Sequence, residues 1–288
     1  MIEIGLILAL GCALLTNVGM LCKHRGASRA PDVRFSRPLR SAAELFRSKW
    51  WTIGFAVATA AWVLHVAALA LAPLSLVQAV IAGGLVLLVV PAKRWFGIVL
   101  GPRELAGLGL SAAGLAFLAV TATEGPAAES GYSQSAMISF EAGAIGVGLV
   151  LLLSHRHEAV GRHGGLFLAL AGGLLIGVCD VAIKALADTV PAAPLSIISP
   201  WTLVAAVAGF AAFYALARAL QLGQAIDVIV ISSVSVNMAA IMGGVLVFGD
   251  PVGSDPIAVV ARASAFAAVI VAAVLLPAAP RTPVPQAA

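Results

Sequence analysis

The sequence predicts an all-α membrane protein of about nine transmembrane helices, arranged as two inverted four-helix repeats joined by a central connecting helix. Three observations predict it. The chain has 288 residues, of which 61% are hydrophobic and only 10% charged, with a mean hydropathy of +1.05. A soluble domain usually carries about a quarter charged residues, so water is the wrong solvent for this surface. Basic residues recur at alternate connections along the chain, and two long stretches resemble each other.

A helix needs about 20 mostly apolar residues to cross a bilayer. Such runs fall at roughly 3–22, 51–72, 74–92, 104–122, 137–154, 165–187, 201–219, 225–248 and 257–277. Ala72-Pro73-Leu74 separates the second and third, and Gln221 to Gln224 separates the seventh and eighth. Proline and glycine suit these tight turns, which force antiparallel neighbours. The first apolar run lacks a basic flank and a small-residue cleavage signal, so it reads as a retained helix. Segment 36–48 mixes Leu39, Leu45 and Phe46 with Arg37, Arg40 and Arg47. A short amphipathic helix on the inner leaflet fits this mix, and a disordered basic loop is the alternative.

Charge sets the orientation. Eight of the 17 Lys and Arg residues lie between Lys23 and Lys49. Lys93, Arg94 and Arg103, then Arg156 and Arg162, then Arg218, and finally Arg281 follow at alternate connections, while Glu124, Glu129, Asp188, Asp250 and Asp255 occupy the others. Basic flanks face the cytoplasm, which places the N-terminus outside and the C-terminus inside a bacterial plasma membrane. The same flanks explain the basic patch without nucleic acid and point to anionic inner-leaflet lipid as a partner.

The repeat pairs Trp51-Thr52-Ile53 with Trp201-Thr202-Leu203, Ala70-Leu71 with Ala219-Leu220, and Val99-Leu100-Gly101 with Val247-Phe248-Gly249. Residues 1–122 form the first repeat, with a basic cytoplasmic loop over 23–49. Residues 123–160 connect, 161–277 form the second repeat, and 278–288 read as a disordered Pro- and Ala-rich tail. An even-numbered repeat plus one extra crossing inverts its copy. In secondary transporters with this arrangement the substrate site lies near the midplane between halves.

Ionisable and polar residues inside spans are the candidate site. Asp180 and Lys184 stand at i and i+4 on one face of the sixth span. They form a substrate or coupling site, or a self-neutralised structural pair. Asn237, with Ser233 one turn before it, lines a path or holds helices together, and Asn17 is the counterpart in the first half. His65 in the second span has no acid nearby in sequence, and proton handling competes there with simple packing. Arg218 and Asp227 bracket a tight turn as an interfacial ion pair or a gate. Glu141 and Arg262 lie near helix ends, within reach of headgroups. The cluster His155, Arg156, His157, Glu158 and His163 fits no closed zinc pattern. Cys12, Cys22 and Cys179 form no CxxC pair and read as small core residues. No phosphate loop, Ser-His-Asp, HExxH or paired-carboxylate constellation is present, so neither an enzyme nor a cofactor is implied.

The run Ala70-Leu71-Ala72-Pro73-Leu74-Ser75-Leu76-Val77-Gln78, then Gly101-Pro102-Arg103-Glu104, Gly107 and Gly114, resembles the drug/metabolite transporter superfamily with its EamA-like repeats. The layout and Trp50-Trp51-Thr52-Ile53-Gly54 are nearest to its NIPA-type magnesium transporter branch. The resemblance implies an integral membrane transporter of a small solute working by alternating access, and leaves a homodimer open. It also brings a magnesium-conducting alternative. A flippase or accessory subunit for a lipid-linked molecule is a further one, motivated by the basic segment. Where the NIPA-like pattern carries a Gly-Glu and an Asn in the second helix, this chain has Trp62-Val63-Leu64-His65-Val66, with no acid. A magnesium path needs hard oxygen ligands.

Overall fold

The computed structural model describes residues 2–96, 101–121, 132–154, 163–190 and 193–249, together with residues 257, 259–261, 264, 265 and 268. Every regular element among them is helical. The order is α1 (Ile2–Ala27), α2 (Pro38–Phe46), α3 (Lys49–Leu71), α4 (Leu74–Gly83), a 3₁₀ segment (Gly84–Leu88), α5 (Val89–Phe96), α6 (Pro102–Thr121), α7 (Gln134–Ser154), α8 (Gly164–Thr189), a 3₁₀ turn (Pro194–Ile197), α9 (Pro200–Leu222) and α10 (Ala225–Val247).

Among the described residues, six helical segments are long and apolar enough to cross a membrane: Ile2–Ala27, Lys49–Leu71, Gln134–Ser154, Gly164–Thr189, Pro194–Leu222 and Ala225–Val247. Their polarity is arranged as a bilayer requires. Ile7, Val150 and Leu203 face outward, while Asn17, His65, Gln78, Glu141, Asp180 and Asn237 are buried. The expected ninth span, 257–277, lies mostly outside the described residues, as do 278–288 and the segment 155–162 with its histidines.

Two hairpins organise the bundle. α1 packs along α3, and α8 packs along α9. At the α1–α3 crossing the backbones meet directly: a Cβ on Gly54 would stand 2.7 Å from the Gly19 carbonyl oxygen. Only glycine permits that approach. α10 lies against α8, and α4 bridges α1, α6 and α10. The turns come where expected, with Ala72 and Pro73 before α4, and Gly223 and Gln224 before α10.

Two expectations are corrected. The run 74–92 is not one helix, because it breaks into a 3₁₀ segment at Gly84. Gly83 and Gly84 have poor helix propensity, and Pro91 cannot donate to the turn before it. The first helix also outruns its expected end at 22, so Lys23 and Arg25 belong to α1 rather than to the loop. Aromatic faces of α3 hold them there: the Lys23 ammonium lies 5.7 Å from the Phe55 ring centroid, and the Arg25 guanidinium 4.3 Å from that of Trp50.

Segment 36–48 does hold an amphipathic helix. On α2, Ser41 and Leu45 are buried while Leu39 is 81% exposed. Arg40 pairs with Glu44 one turn on, at 2.9 Å. The Tyr214 hydroxyl of α9 donates to the Pro38 carbonyl at 3.0 Å and ties α2 to the bundle.

Candidate functional site

Asp180 is the centre of the buried polar residues. It sits on α8, is 5% exposed, and both carboxylate oxygens are taken by side chains from the other half of the chain. His65 Nε2 on α3 lies 3.1 Å from Oδ1. Gln78 Nε2 on α4 donates to Oδ2 at 2.8 Å. All three side chains are buried. An ionised carboxylate in such a place is stable only when paired and hydrogen-bonded, and here each oxygen has a partner among the described residues. The tight Ala72–Pro73 turn joins α3 to α4, and one side chain from each reaches Asp180.

Lys184 does not pair with Asp180. Its ammonium donates to Asp188 Oδ1 at 2.8 Å and to the Leu69 carbonyl at 3.1 Å. That carbonyl belongs to the last turn of α3, where acceptors lack helical partners and a cation is favoured. The i, i+4 spacing was satisfied twice, by 180/184 and by 184/188. The bundle turned Asp180 toward α3 and α4, and left Asp188 for the lysine.

The break after α4 frees backbone carbonyls. Asn17 of α1 is 3% exposed and donates through Nδ2 to the Gly84 carbonyl at 3.1 Å. This satisfies the unwound backbone in a place without water. Ala13 presses on Gly84 so closely that a Cβ there would overlap it. Asn17 therefore serves the broken helix of its own half and is no mirror image of Asn237.

Asn237 on α10 donates to the Ser233 carbonyl at 2.7 Å, while its Oδ1 is buried with no partner among the described residues. Ser232 and Ser235 turn back to backbone carbonyls at Ile229 (3.1 Å) and Leu170 (2.8 Å). Two of these serines thus spend their hydroxyls on helix backbone. Asn237 keeps an open acceptor.

The expected Arg218–Asp227 pair is not formed. Arg218 donates to Asp32 Oδ1 at 2.8 Å and to Gln221 Oε1 at 3.1 Å. Asp227 is buried in the first turn of α10. The loop after α1 folds back over the end of α9 and reaches Arg218 first. Gln221 is what holds that loop. It accepts from the Val33 amide at 2.9 Å and donates to the Pro31 carbonyl at 2.9 Å.

No family model, curated protein or solved structure matches this chain.

Two functional candidates escaped the sequence reading or were misplaced by it, and a third, His65, was named without its partner. Gln78 looked like one more polar residue in the Ala-Pro motif; only the tertiary structure, which brings its amide to Asp180, shows its partner. Glu141 was expected at a headgroup, yet it is 3% exposed, and neither carboxyl oxygen has a partner among the described residues. It lies on α7, the helix packed beside α8. His65 had no acid near it in sequence because its acid is 115 residues away. Arg262 lies outside the described side chains. All three cysteines are free and buried, as a core role requires. Among the described residues, no group of three or more His, Cys, Asp and Glu is placed to hold a metal.

Proposed function

We propose that this protein is a multi-pass secondary transporter of the drug/metabolite type, moving a small solute by alternating access. In this reading nine helices form two inverted repeats, with α1 and α3–α6 on one side of the site and α8–α10 with the last span on the other. The single observation that carries it is the Asp180 cluster. One buried carboxylate is held by His65 and Gln78 from the opposite half, at 3.1 and 2.8 Å. A charge placed between two halves is a group that their relative movement exposes or hides. The broken helix at Gly84 supports the reading, because discontinuous helices at membrane depth accompany solute sites in such transporters.

Asp180 is the residue we assign to solute or coupling-ion recognition. His65 and Gln78 position it, and Asn237 with its open Oδ1 is a second polar contact. Nothing in this site calls for a bond-making step, so the protein is not read as an enzyme. An organic solute fits better than magnesium. The cluster has one carboxylate, and both its oxygens already accept from nitrogen, whereas magnesium demands near-octahedral oxygen ligation.

Flux into proteoliposomes tests this. Magnesium is measured first, followed by a panel of small amines, amino acids and sugars, comparing the native chain with Asp180→Asn. Saturable uptake of an organic solute, lost in the variant, is the expected result. Unchanged uptake in Asp180→Asn removes the site assignment. Saturable magnesium flux would favour the cation-conducting alternative.

A further inference from the structure

Asp180, Lys184 and Asp188 stand one helical turn apart on a single face of α8, an acid, a base and an acid. Side-chain exposure rises along the row, from 7% at Asp180 to 15% at Lys184 and 26% at Asp188, so the row leads from the buried site toward one end of the bundle. A lysine between two such carboxylates reaches one turn in either direction. Local helix physics favours Asp180. Helical side chains lean toward the N-terminus of their helix, and an acid four residues before a base pairs better than one four residues after it. Lys184 nevertheless pairs with Asp188, at 2.8 Å.

Contacts from the other half of the chain account for this choice. Asp180 is already held by His65 of α3 and Gln78 of α4. The Leu69 carbonyl of α3 draws the ammonium away from it, at 3.1 Å. That carbonyl is open for a covalent reason. Its helical donor would be the residue four positions on, which is Pro73 and has no N–H. Lys184 stands in for the missing amide. Asp188, in the last turn of α8, sits where a helix disfavours an anion, and the lysine offsets it. Moving α3 and α4 off α8 would take His65 and Gln78 from the carboxylate and Leu69 from the ammonium in one step. It would leave a buried acid unpaired, with a cation one turn away in the favoured orientation. A buried charge without a partner is far costlier than one with a partner.

We propose that Lys184 is a tethered counter-cation for Asp180. It sits with Asp188 and Leu69 while α3 and α4 cover the site, turns to Asp180 when they withdraw, and gives way there to a solute of its own charge. The solute class is therefore a small organic cation, since a neutral or anionic solute offers nothing to replace an ammonium on a buried carboxylate. The withdrawal of α3 and α4 rests on the alternating-access reading; the exchange of partners by Lys184 and the charge of the solute are added to it.

Two measurements on the full chain test this, one of them without any solute. Thermal unfolding in detergent compares Lys184→Met in the native background and in His65→Ala/Gln78→Ala. In the native background the substitution removes a partly exposed pair, and the midpoint should fall modestly. In the second background Asp180 has Lys184 to turn to, and the fall should be at least about twice as large. Equal shifts overturn the exchange of partners. The second measurement is uptake of labelled tetramethylammonium into proteoliposomes, with glucose as the neutral comparison. Saturable tetramethylammonium uptake is expected in the native chain. Lys184→Met, which removes the competing cation, should lower its half-saturation concentration about tenfold, the scale of one charge-assisted hydrogen bond, and should also lower the maximal rate. Lys184→Arg should restore both. A purely structural lysine would not tighten the solute when removed, so an unchanged half-saturation concentration overturns the proposal, and this arm decides alone where the His65→Ala/Gln78→Ala chain does not fold. Uptake of glucose in place of tetramethylammonium keeps the transport reading and overturns the cation. Uptake of neither removes the support for both, while the unfolding comparison still judges the exchange by Lys184.

Discussion

His65 and Asp180 stand 115 residues apart in the chain and 3.1 Å apart in the bundle, both almost fully buried. The contact joins α3 to α8 and, with Gln78, is one of two side-chain bonds on that carboxylate among the described residues. It therefore both holds the two halves together and keeps a charge tolerable inside the membrane. Breaking such a pair is costlier than never having built it.

Removing one partner exposes this asymmetry. His65→Ala is expected to destabilise the protein by about 3 kcal/mol, because it leaves a buried carboxylate with one donor fewer. The double variant His65→Ala/Asp180→Ala should be less damaged than the sum of the two single variants, by about 1 kcal/mol or more. Thermal or denaturant unfolding in detergent measures it. Additive effects would mean that the contact carries no coupling.

The helix break at Gly84 depends on two contacts with α1. Gly84→Val should push α1 from α4 and cost about 1–3 kcal/mol, since Ala13 occupies the space a side chain needs. Asn17→Ala should cost a similar amount, about 1–3 kcal/mol, by leaving the Gly84 carbonyl unsatisfied. Gly143→Ala on α7 is the control: nothing lies within 4 Å of its Cβ position, and its melting temperature should be unchanged or higher. Equal losses at Gly84 and Gly143 would show that helix crossing does not set the requirement.

Gln221 fastens the loop between α1 and α2 through the Val33 amide and the Pro31 carbonyl. Gln221→Ala should release that loop and speed tryptic cleavage after the exposed Arg29 and Arg34 severalfold, since proteolysis follows local opening. Asp32→Ala should change the rate little. The Arg218–Asp32 pair it removes involves a carboxylate side chain that is 68% exposed, and such pairs contribute about 0–1 kcal/mol. Identical cleavage of Gln221→Ala and the native chain would place the latch elsewhere.

Glu141 is buried with both oxygens unsatisfied among the described residues. Glu141→Leu is expected to raise stability by about 1 kcal/mol, because an apolar side chain removes the desolvation penalty. Such a position tests function as well. If solute flux falls while stability rises, the carboxyl is kept for transport rather than for folding. A loss of stability would reveal a partner for Glu141 that the described residues do not include.

What was legible in the sequence were properties of single helices. Hydropathy located Lys49–Leu71, Gly164–Thr189 and Ala225–Val247 to within a few residues, because a bilayer selects for apolar length and nothing else competes. The Ala-Pro and Gly-Gln turns were read correctly because Pro and Gly act locally. The amphipathic α2 was readable from its own pattern. The missed break at Gly84 was local too, with Gly83, Gly84 and Pro91 all visible, but in lipid a run of Val and Leu masks a weak helix former.

Composition by itself therefore determined the solvent, the helices and their rough ends, since each depends on residues within one turn or one span. Only the tertiary structure decided the partners. Asp180 chose His65 and Gln78 over Lys184, Arg218 chose Asp32 over Asp227, and Glu141 turned inward, because rotation of a helix about its axis is set by the neighbours packed against it. That rotation leaves no trace in spacing when most faces of a helix are apolar.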